Sequence, residues 1–245
     1  MKTHYRLRQI IFQEKQMKLA IMQPYFFPYI GYWQLINAVD TFIIYDDVTY
    51  IKSGFINRNS ILINNQSNKI NIKILGASSY KQINQLKKVT NDPKPLKTIR
   101  MAYSKAPYFE VIFPIIEKII NHPENNLAKY LGYSIDVISN FLKINSKLIY
   151  SSDIKKSNDL KSQEKILNIC SNLGATNYIN SIGGRALYCK EQFHQKNITL
   201  HFLQTKLINY RQFDNEFVAN LSMIDVMMFN KVEDIRIMLQ NYKLV

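Results

Sequence analysis

The sequence predicts an α/β protein with a mainly parallel sheet flanked by helices and a helical middle segment. Three observations carry this. Short apolar runs rich in β-branched and aromatic residues alternate with helix-period segments at the start and in the later half of the chain. Proline-, glycine- or asparagine-bearing stretches separate them. The middle third is periodic only in the helical sense. With 245 residues and 47% hydrophobic content the chain has the means for a sizeable core. No apolar run approaches the roughly 20 residues that cross a bilayer.

Residues 1–16 are basic and make a poor signal peptide. They read as an N-terminal helix or as a lead segment ahead of a start at Met17, and the second is preferred. Residues 17–230 are expected to form one α/β unit with a helical insertion at about 100–145, and residues 231–245 a C-terminal helix.

KLAIM (18–22) is an apolar run halted by Pro24 and reads as a buried strand. Pro24 and Pro28 suit neither a helix interior nor a central strand, so QPYFFPY is a stiffened loop feeding the helix GYWQLINAVD. TFIIYDDV (41–48) is a second strand ending in two carboxylates. NRNSILI and KINIKIL flank NNQSN as a hairpin, with Ile70, Ile72 and Ile74 alternating with Asn71 and Lys73. SSYKQINQLKKVTNDPKP is polar, ends in a proline pair and reads as a loop or boundary.

APYFEVIFPIIEKIINH and NNLAKYLGYSIDVISNFLKI are helical, and Leu127, Tyr130, Leu131, Ile138 and Phe141 form one stripe of the second. KLIYSSD is a strand leading to Asp153. In the next helix Ser157 or Asp159 serves as cap, Ile166, Ile169, Cys170 and Leu173 face inward, and Gly174 ends it. NYINSIGG is a strand with a glycine turn, ITLHFLQ another strand, and SMIDVMMFNKVEDIRIMLQ a helix start and helix.

The formal charge is +14, which suits an anionic partner such as nucleic acid, a nucleotide sugar or a membrane surface. A Lys-, Asn- and Ile-rich composition accounts for it equally, because the lysines are scattered singly or in pairs. Cys170 and Cys189 make neither a disulfide framework nor a zinc set, which points to a reduced, cytoplasmic protein. His4, His122, His194 and His201 have no metal-ligand spacing. No phosphate loop, dinucleotide fingerprint or nucleophile elbow is present, so no metal or cofactor is named.

In open α/β sheets ligands bind beyond the carboxyl ends of the strands. Gln23 follows the first strand, Asp46 and Asp47 the second, and Ser181, Gly183, Gly184 and Arg185 the strand NYIN. Asp46 or Asp47 could serve as general base or oxygen ligand; a solvated strand end is the plain alternative. Behind them lie Lys52, Asn57, Arg58 and Asn59. Arg58 could grip a phosphate in bidentate fashion and Lys52 as a point charge, or these are surface charges and turn residues. Gly183 and Gly184 could let backbone amides approach an anion, or form a plain turn. Ser222 reads as a helix cap, with Asp225 either reaching the site or completing the cap. Rings such as Tyr25 and Tyr32 either wall a pocket or plug the sheet end.

The stretch from Gln23 through Asn59, with YSKAPYF (103–109), LGATNYINSIGG (173–184) and LSMIDVMMFN (221–230), resembles the WbqC-like family in that family's order. The resemblance implies a part in bacterial O-antigen and other surface-polysaccharide biosynthesis, with glycine transfer to the amine of a sugar as the proposed activity. It points to Gln23, Pro24, Tyr32, Asp46, Asp47, Lys52, Asn57, Arg58, Asn59, Gly183 and Asp225. Family members commonly carry His before the Gln-Pro pair, where this chain has Met22. FPYIGYWQLI is also similar in layout to the opening of nucleotidylyltransferases, with Gly31-Tyr32 in place of their Gly-His, so the expected layout is Rossmann-like or nucleotidylyltransferase-like. A tyrosine carries no charge at neutral pH, which argues against adenylyl transfer by that route.

The resulting expectation is a transferase moving a glycyl or acyl group onto the amine of a nucleotide-linked amino sugar, Asp46 or Asp47 being the base. Asn57, Asn59 or the Gly183-Gly184 amides would be oxyanion donors. The donor is an acyl or aminoacyl group, with aminoacyl-tRNA one candidate. The alternative is a non-catalytic protein of the same pathway that binds a sugar nucleotide or tRNA.

Overall fold

A computed structural model describes residues 16–157, 159–213 and 216–245; residues 1–15, and with them nearly all of the expected lead segment, lie outside the described residues. The first β-α-β unit is β1 (Lys18–Met22), α1 (Ile30–Asn37) and β2 (Thr41–Ile44). Two small hairpins follow, β3 (Arg58–Ile63) with β4 (Gln66–Asn71), and β5 (Ile74–Leu75) with β6 (Lys87–Lys88). The helical middle is α2 (Lys94–Tyr103), α3 (Phe109–Ile120) and α4 (Leu127–Phe141). The chain then runs through β7 (Lys147–Tyr150), α5 (Ser162–Asn172), β8 (Asn177–Ser181), α6 (Lys190–His194) and β9 (Thr199–Thr205). It ends with α7 (Met223–Phe229), α8 (Val232–Met238) and β10 (Tyr242–Leu244).

The main sheet has the order β10-β9-β8-β1-β2-β7 and is parallel except for the antiparallel edge strand β10. Its central strands β1 and β2 are buried on both faces, which is why they read as continuous apolar runs. Alternate residues of β1 and β2 feed two cores. Ala20, Phe42 and Ile44 pack with α1 and the helical middle, while Leu19, Ile21 and Ile43 pack with α5 and Phe193 of α6. From β1 the chain winds outward to β2 and β7, then returns to β8 and β9 on the other side. The winding reverses between β1 and β8, and strands parted in this way leave a crevice at their carboxyl ends.

Several local features differ from the sequence expectation, each for a physical reason. The second strand stops at Ile44, since the Asp46 amide turns back to the Ile44 carbonyl at 3.0 Å. The hairpin turn is only Asn64-Asn65, both left-handed at φ 49° and 62°, a conformation asparagine tolerates. Helix α2 starts at Lys94, inside the last two residues of the stretch expected as a loop or boundary, because Pro95 sits in the first turn, where a helix needs no amide from it. Helix α5 starts after Lys161, so neither Ser157 nor Asp159 caps it. Residues 231–245 hold α8 and then the strand β10, too short to show alternation in the sequence.

Candidate functional site

The loop between β1 and α1 is locked from several directions. The Asn59 amide donates to the carbonyls of Phe26 (3.1 Å) and Phe27 (2.8 Å), and the Ser222 hydroxyl donates to Phe27 O at 2.9 Å. The Trp33 indole donates to Pro28 O at 3.0 Å, and the Phe26 amide to Phe55 O at 3.1 Å. These ties hold Phe27 at φ 42°, a left-handed conformation costly for a bulky residue. Phe26, Phe27, Tyr32 and Trp33 are buried, so most of the ring-rich stretch is core. Only Tyr25, half-buried, and Tyr29, 38% exposed, reach the rim of the sheet. The Tyr32 hydroxyl donates to the Gln23 carbonyl at 3.0 Å and thereby fixes the end of β1.

Because β8, β1 and β2 are neighbours, the segments that follow them share one rim. Gln23, Tyr25, Asp46, Asp47, Gly183 and Gly184 lie in these segments, and Ser181 is the last residue of β8. Asp46 is 2% exposed and spends both oxygens internally. Its Oδ1 accepts from the Ser152 amide at 2.9 Å, and its Oδ2 from the Ser152 hydroxyl at 2.7 Å and the Asn84 amide at 3.4 Å. It ties β2 to the turn after β7.

Asp47 is the hub of a nearly buried charge cluster. Its Oδ2 meets Lys156 Nζ at 2.9 Å and Lys165 Nζ at 3.1 Å. Lys165 also donates to the Asp47 carbonyl at 3.1 Å and lies over the Tyr45 ring at 5.1 Å. Lys156 spends further donors on the Ser151 and Ile154 carbonyls. Burial pushes the Asp47 carboxyl up, but Lys156, Ser151 and Lys165 outweigh it and hold the group below its ordinary value. Its Oδ1 is buried with no hydrogen-bond partner. The Ser151 side chain stands beside this carboxylate with its own hydroxyl likewise unpartnered, so Oδ1 meets a ligand only if the cluster opens.

After β8 the Ser181 amide donates to Asn180 Oδ1 at 2.7 Å. Gly183 is exposed with open space where a side chain would start, whereas a Cβ on buried Gly184 would stand 3.3 Å from the Asn180 amide group.

The remaining expected residues are placed elsewhere. Asn57 is buried between the Tyr50 hydroxyl, which donates to it at 2.8 Å, and the Ile72 carbonyl, to which it donates at 2.9 Å. Asn59 serves the loop as described, so both amides are engaged. Arg58 donates to the Lys52 carbonyl and lies against the Tyr50 hydroxyl, with its buried Nε unpartnered. Lys52 is exposed. Asp225 is fully buried and accepts from Tyr103 (2.8 Å), Tyr210 (2.7 Å) and Gln212 (2.7 Å). Burial raises its pKa, and the three donors only partly offset this. Ser222 caps α7 through the Ile224 amide at 3.2 Å.

Two hollows border the rim. One, of about 780 Å³, is open and shallow and runs along α5 past Asp153, Lys155, Lys156 and Asn168. The other, of about 470 Å³, lies beyond β8 and β9 and is lined by Tyr29, Ile182, Thr205, Tyr210 and Phe217. Smaller but more enclosed and lined by three aromatic rings, the second fits a ligand cleft better. Sequence reasoning missed Tyr29, Lys156, Lys165, Tyr210 and Phe217. The two lysines look like background in a lysine-rich chain, and residues 206–221 have no periodicity to place them.

A sheet wound in both directions from a central strand, with polar and aromatic side chains along its carboxyl rim, defines an open α/β protein of the doubly wound kind. The chain belongs to the WbqC-like protein family, whose model matches residues 23–237. It is 27% identical over 215 residues to the uncharacterized protein Rv1507c of Mycobacterium tuberculosis, a similarity covering 86% of this chain and 92% of the relative. No solved structure matches it. No helix among the described residues is long and apolar enough to cross a membrane.

Proposed function

We propose that the protein binds a nucleotide-linked amino sugar at the carboxyl rim of its sheet and transfers a glycyl or other acyl group to the sugar amine, in surface-polysaccharide biosynthesis. The observation that supports this is the convergence of the segments after β8, β1 and β2 on one rim, with the unpartnered Asp47 Oδ1 among them. The resemblance to the WbqC-like family supplies the pathway and the acyl group.

In the reaction the amine nitrogen forms a bond to the acyl carbon, the bond to the donor's leaving oxygen or sulfur breaks, and the amine loses a proton. Asp46 has both oxygens occupied, so Asp47 takes the acceptor role through Oδ1. Its lowered pKa keeps it ionised at neutral pH and makes it a weak base, so it orients the amine and receives the proton only as the new bond forms. With the Asn57 and Asn59 amides engaged, the backbone of Gly183 and Gly184 is the better oxyanion donor. Arg58 spends a donor on the Lys52 carbonyl, so the diphosphate contact expected of this pair lies elsewhere on the rim.

The test is mass spectrometry of purified protein with nucleotide-linked amino sugars, with glycine plus ATP in one arm and glycyl-tRNA in the other. A gain of one glycyl unit that is lost in Asp47→Asn, with circular dichroism showing a folded variant, is the expected result. No product from either donor would overturn the transferase. The net charge of +14 then favours the second reading, a non-catalytic binder of sugar nucleotide or tRNA.

A further inference from the structure

We propose that the 470 Å³ cleft beyond β8 and β9 is a nucleoside-diphosphate subsite, in which Tyr29, Tyr210 and Phe217 wall the base and Lys206 meets the phosphates. This rests on the sugar-nucleotide reading of the rim and names where the nucleotide half sits. Ile182 lines the cleft and lies in the chain between Ser181 and Gly183, so the cleft opens onto the segment proposed to meet the sugar.

The walls suit a flat aromatic ligand. Tyr210 and Phe217 meet edge to face, centroids 5.0 Å apart at 74°. Tyr210 is held before any ligand arrives, because its hydroxyl donates to Asp225 Oδ1 at 2.7 Å and Gln212 donates to the same oxygen at 2.7 Å. Asp225 thus acts here as a positioning residue, one tyrosine removed from the ligand. Tyr29 is only part-covered, and its ring lies in the same cleft lining as Thr205. Rings anchored at one edge offer a stacking surface at little further entropic cost, and every base has a face to stack on.

The mouth carries the complementary charge. Lys206 lines the cleft, is exposed, and has no ion-pair partner among the described residues. Its backbone is fixed by the bond from its amide to Asn241 O at 3.0 Å, which joins the end of β9 to the start of β10. An ammonium at the open end of an aromatic slot recognises a phosphorylated nucleoside better than a bare base or a bare phosphate.

The experiment is isothermal titration calorimetry of the full chain with UDP, CDP, GDP and ADP, and with pyrophosphate as the base-free probe. At least one nucleoside diphosphate is expected to bind at least tenfold more tightly than pyrophosphate. Phe217→Ala should weaken that binding about tenfold or more, the effect of losing one stacked ring, while Phe217→Trp keeps it. Lys206→Met, at an exposed position, should weaken the nucleotide several-fold without altering the fold. Lys155→Met, in the open hollow along α5, should leave binding unchanged. Equal binding of pyrophosphate and nucleotides, no nucleotide binding at all, or unchanged affinity in Lys206→Met and Phe217→Ala overturns the subsite. The two proposals fail separately. Phe217-dependent nucleotide binding without transfer removes the transferase and keeps the subsite. Transfer with an unaltered KM in Phe217→Ala removes the subsite and keeps the transferase.

Discussion

Replacing Asn59 by alanine removes the side chain that ties the start of the first hairpin to the proline-rich loop. Two donated bonds vanish, at 3.1 Å to Phe26 O and 2.8 Å to Phe27 O, and the Ser60 amide loses its acceptor at 2.8 Å. Phe27 O keeps the Ser222 hydroxyl, while Phe26 O is left unpartnered among the described residues. A buried group stranded in this way costs about 1–3 kcal/mol, and losing the second bond adds about 1 kcal/mol, so the variant should lose about 2–4 kcal/mol. For a chain of this size that is a fall of very roughly 4–16 °C in Tm. Urea unfolding followed by the fluorescence of Trp33, the single tryptophan, reports on this loop directly, since its indole is bonded to Pro28 O. The midpoint should fall with the m-value unchanged. Asn59→Asp should be worse than alanine, because it sets a carboxylate against two carbonyls. Asn71→Ala, an exposed asparagine on the partner strand, should stay within about 0.5 kcal/mol. An Asn59→Ala midpoint as close to the parent as that of Asn71→Ala would refute the clamp.

Asp225 has a raised pKa, so its contribution is full below the ordinary carboxylate value and is lost as pH rises through the folded value. The stability gap between the parent and Asp225→Asn, measured by denaturation at several pH values, should therefore narrow as pH rises above that ordinary value, by no more than about 1.4 kcal/mol per pH unit. Asp47 has the opposite sign: its lowered pKa gives stability present above the ordinary value and lost as pH falls through the folded one. Asp47→Asn strands two lysines whose side chains are only 5% and 14% exposed and should cost about 3 kcal/mol near neutrality, with the difference shrinking in acid. Gly184→Ala presses a methyl on Asn180, which is pinned by the Tyr178 hydroxyl and the Ser181 amide and cannot yield, so it should cost about 1–3 kcal/mol in a thermal melt. Gly183→Ala, with open space around it, should melt like the parent.

The layout of the sheet was legible wherever burial on both faces left a continuous apolar run, as in β1 and β2. The amphipathic stripes of α4 and α5 marked those helices in the same way. Side-chain roles were much less legible. Asn57, Arg58 and Asn59 read as a polar cluster near a site, yet the two asparagines spend their amides on backbone carbonyls 15 to 33 residues away in sequence. Asp46 and Asp47 are adjacent and chemically identical, and only their partners separate them. Ser152 and Asn84 saturate the first, while Lys156 and Lys165 leave one oxygen of the second without a partner.

By itself the sequence determined which segments become buried strands and helices, because hydrophobic periodicity and turn chemistry act over a few neighbouring residues. It also determined that the segments after those strands carry polar and glycine residues. Only the tertiary structure decided which of those side chains are saturated by internal bonds, and that Tyr210 and Phe217 join Tyr29 and Ile182 around one aromatic cleft. Hydrogen-bond saturation and cleft walls depend on contacts between residues far apart in the chain, and no local pattern encodes such contacts.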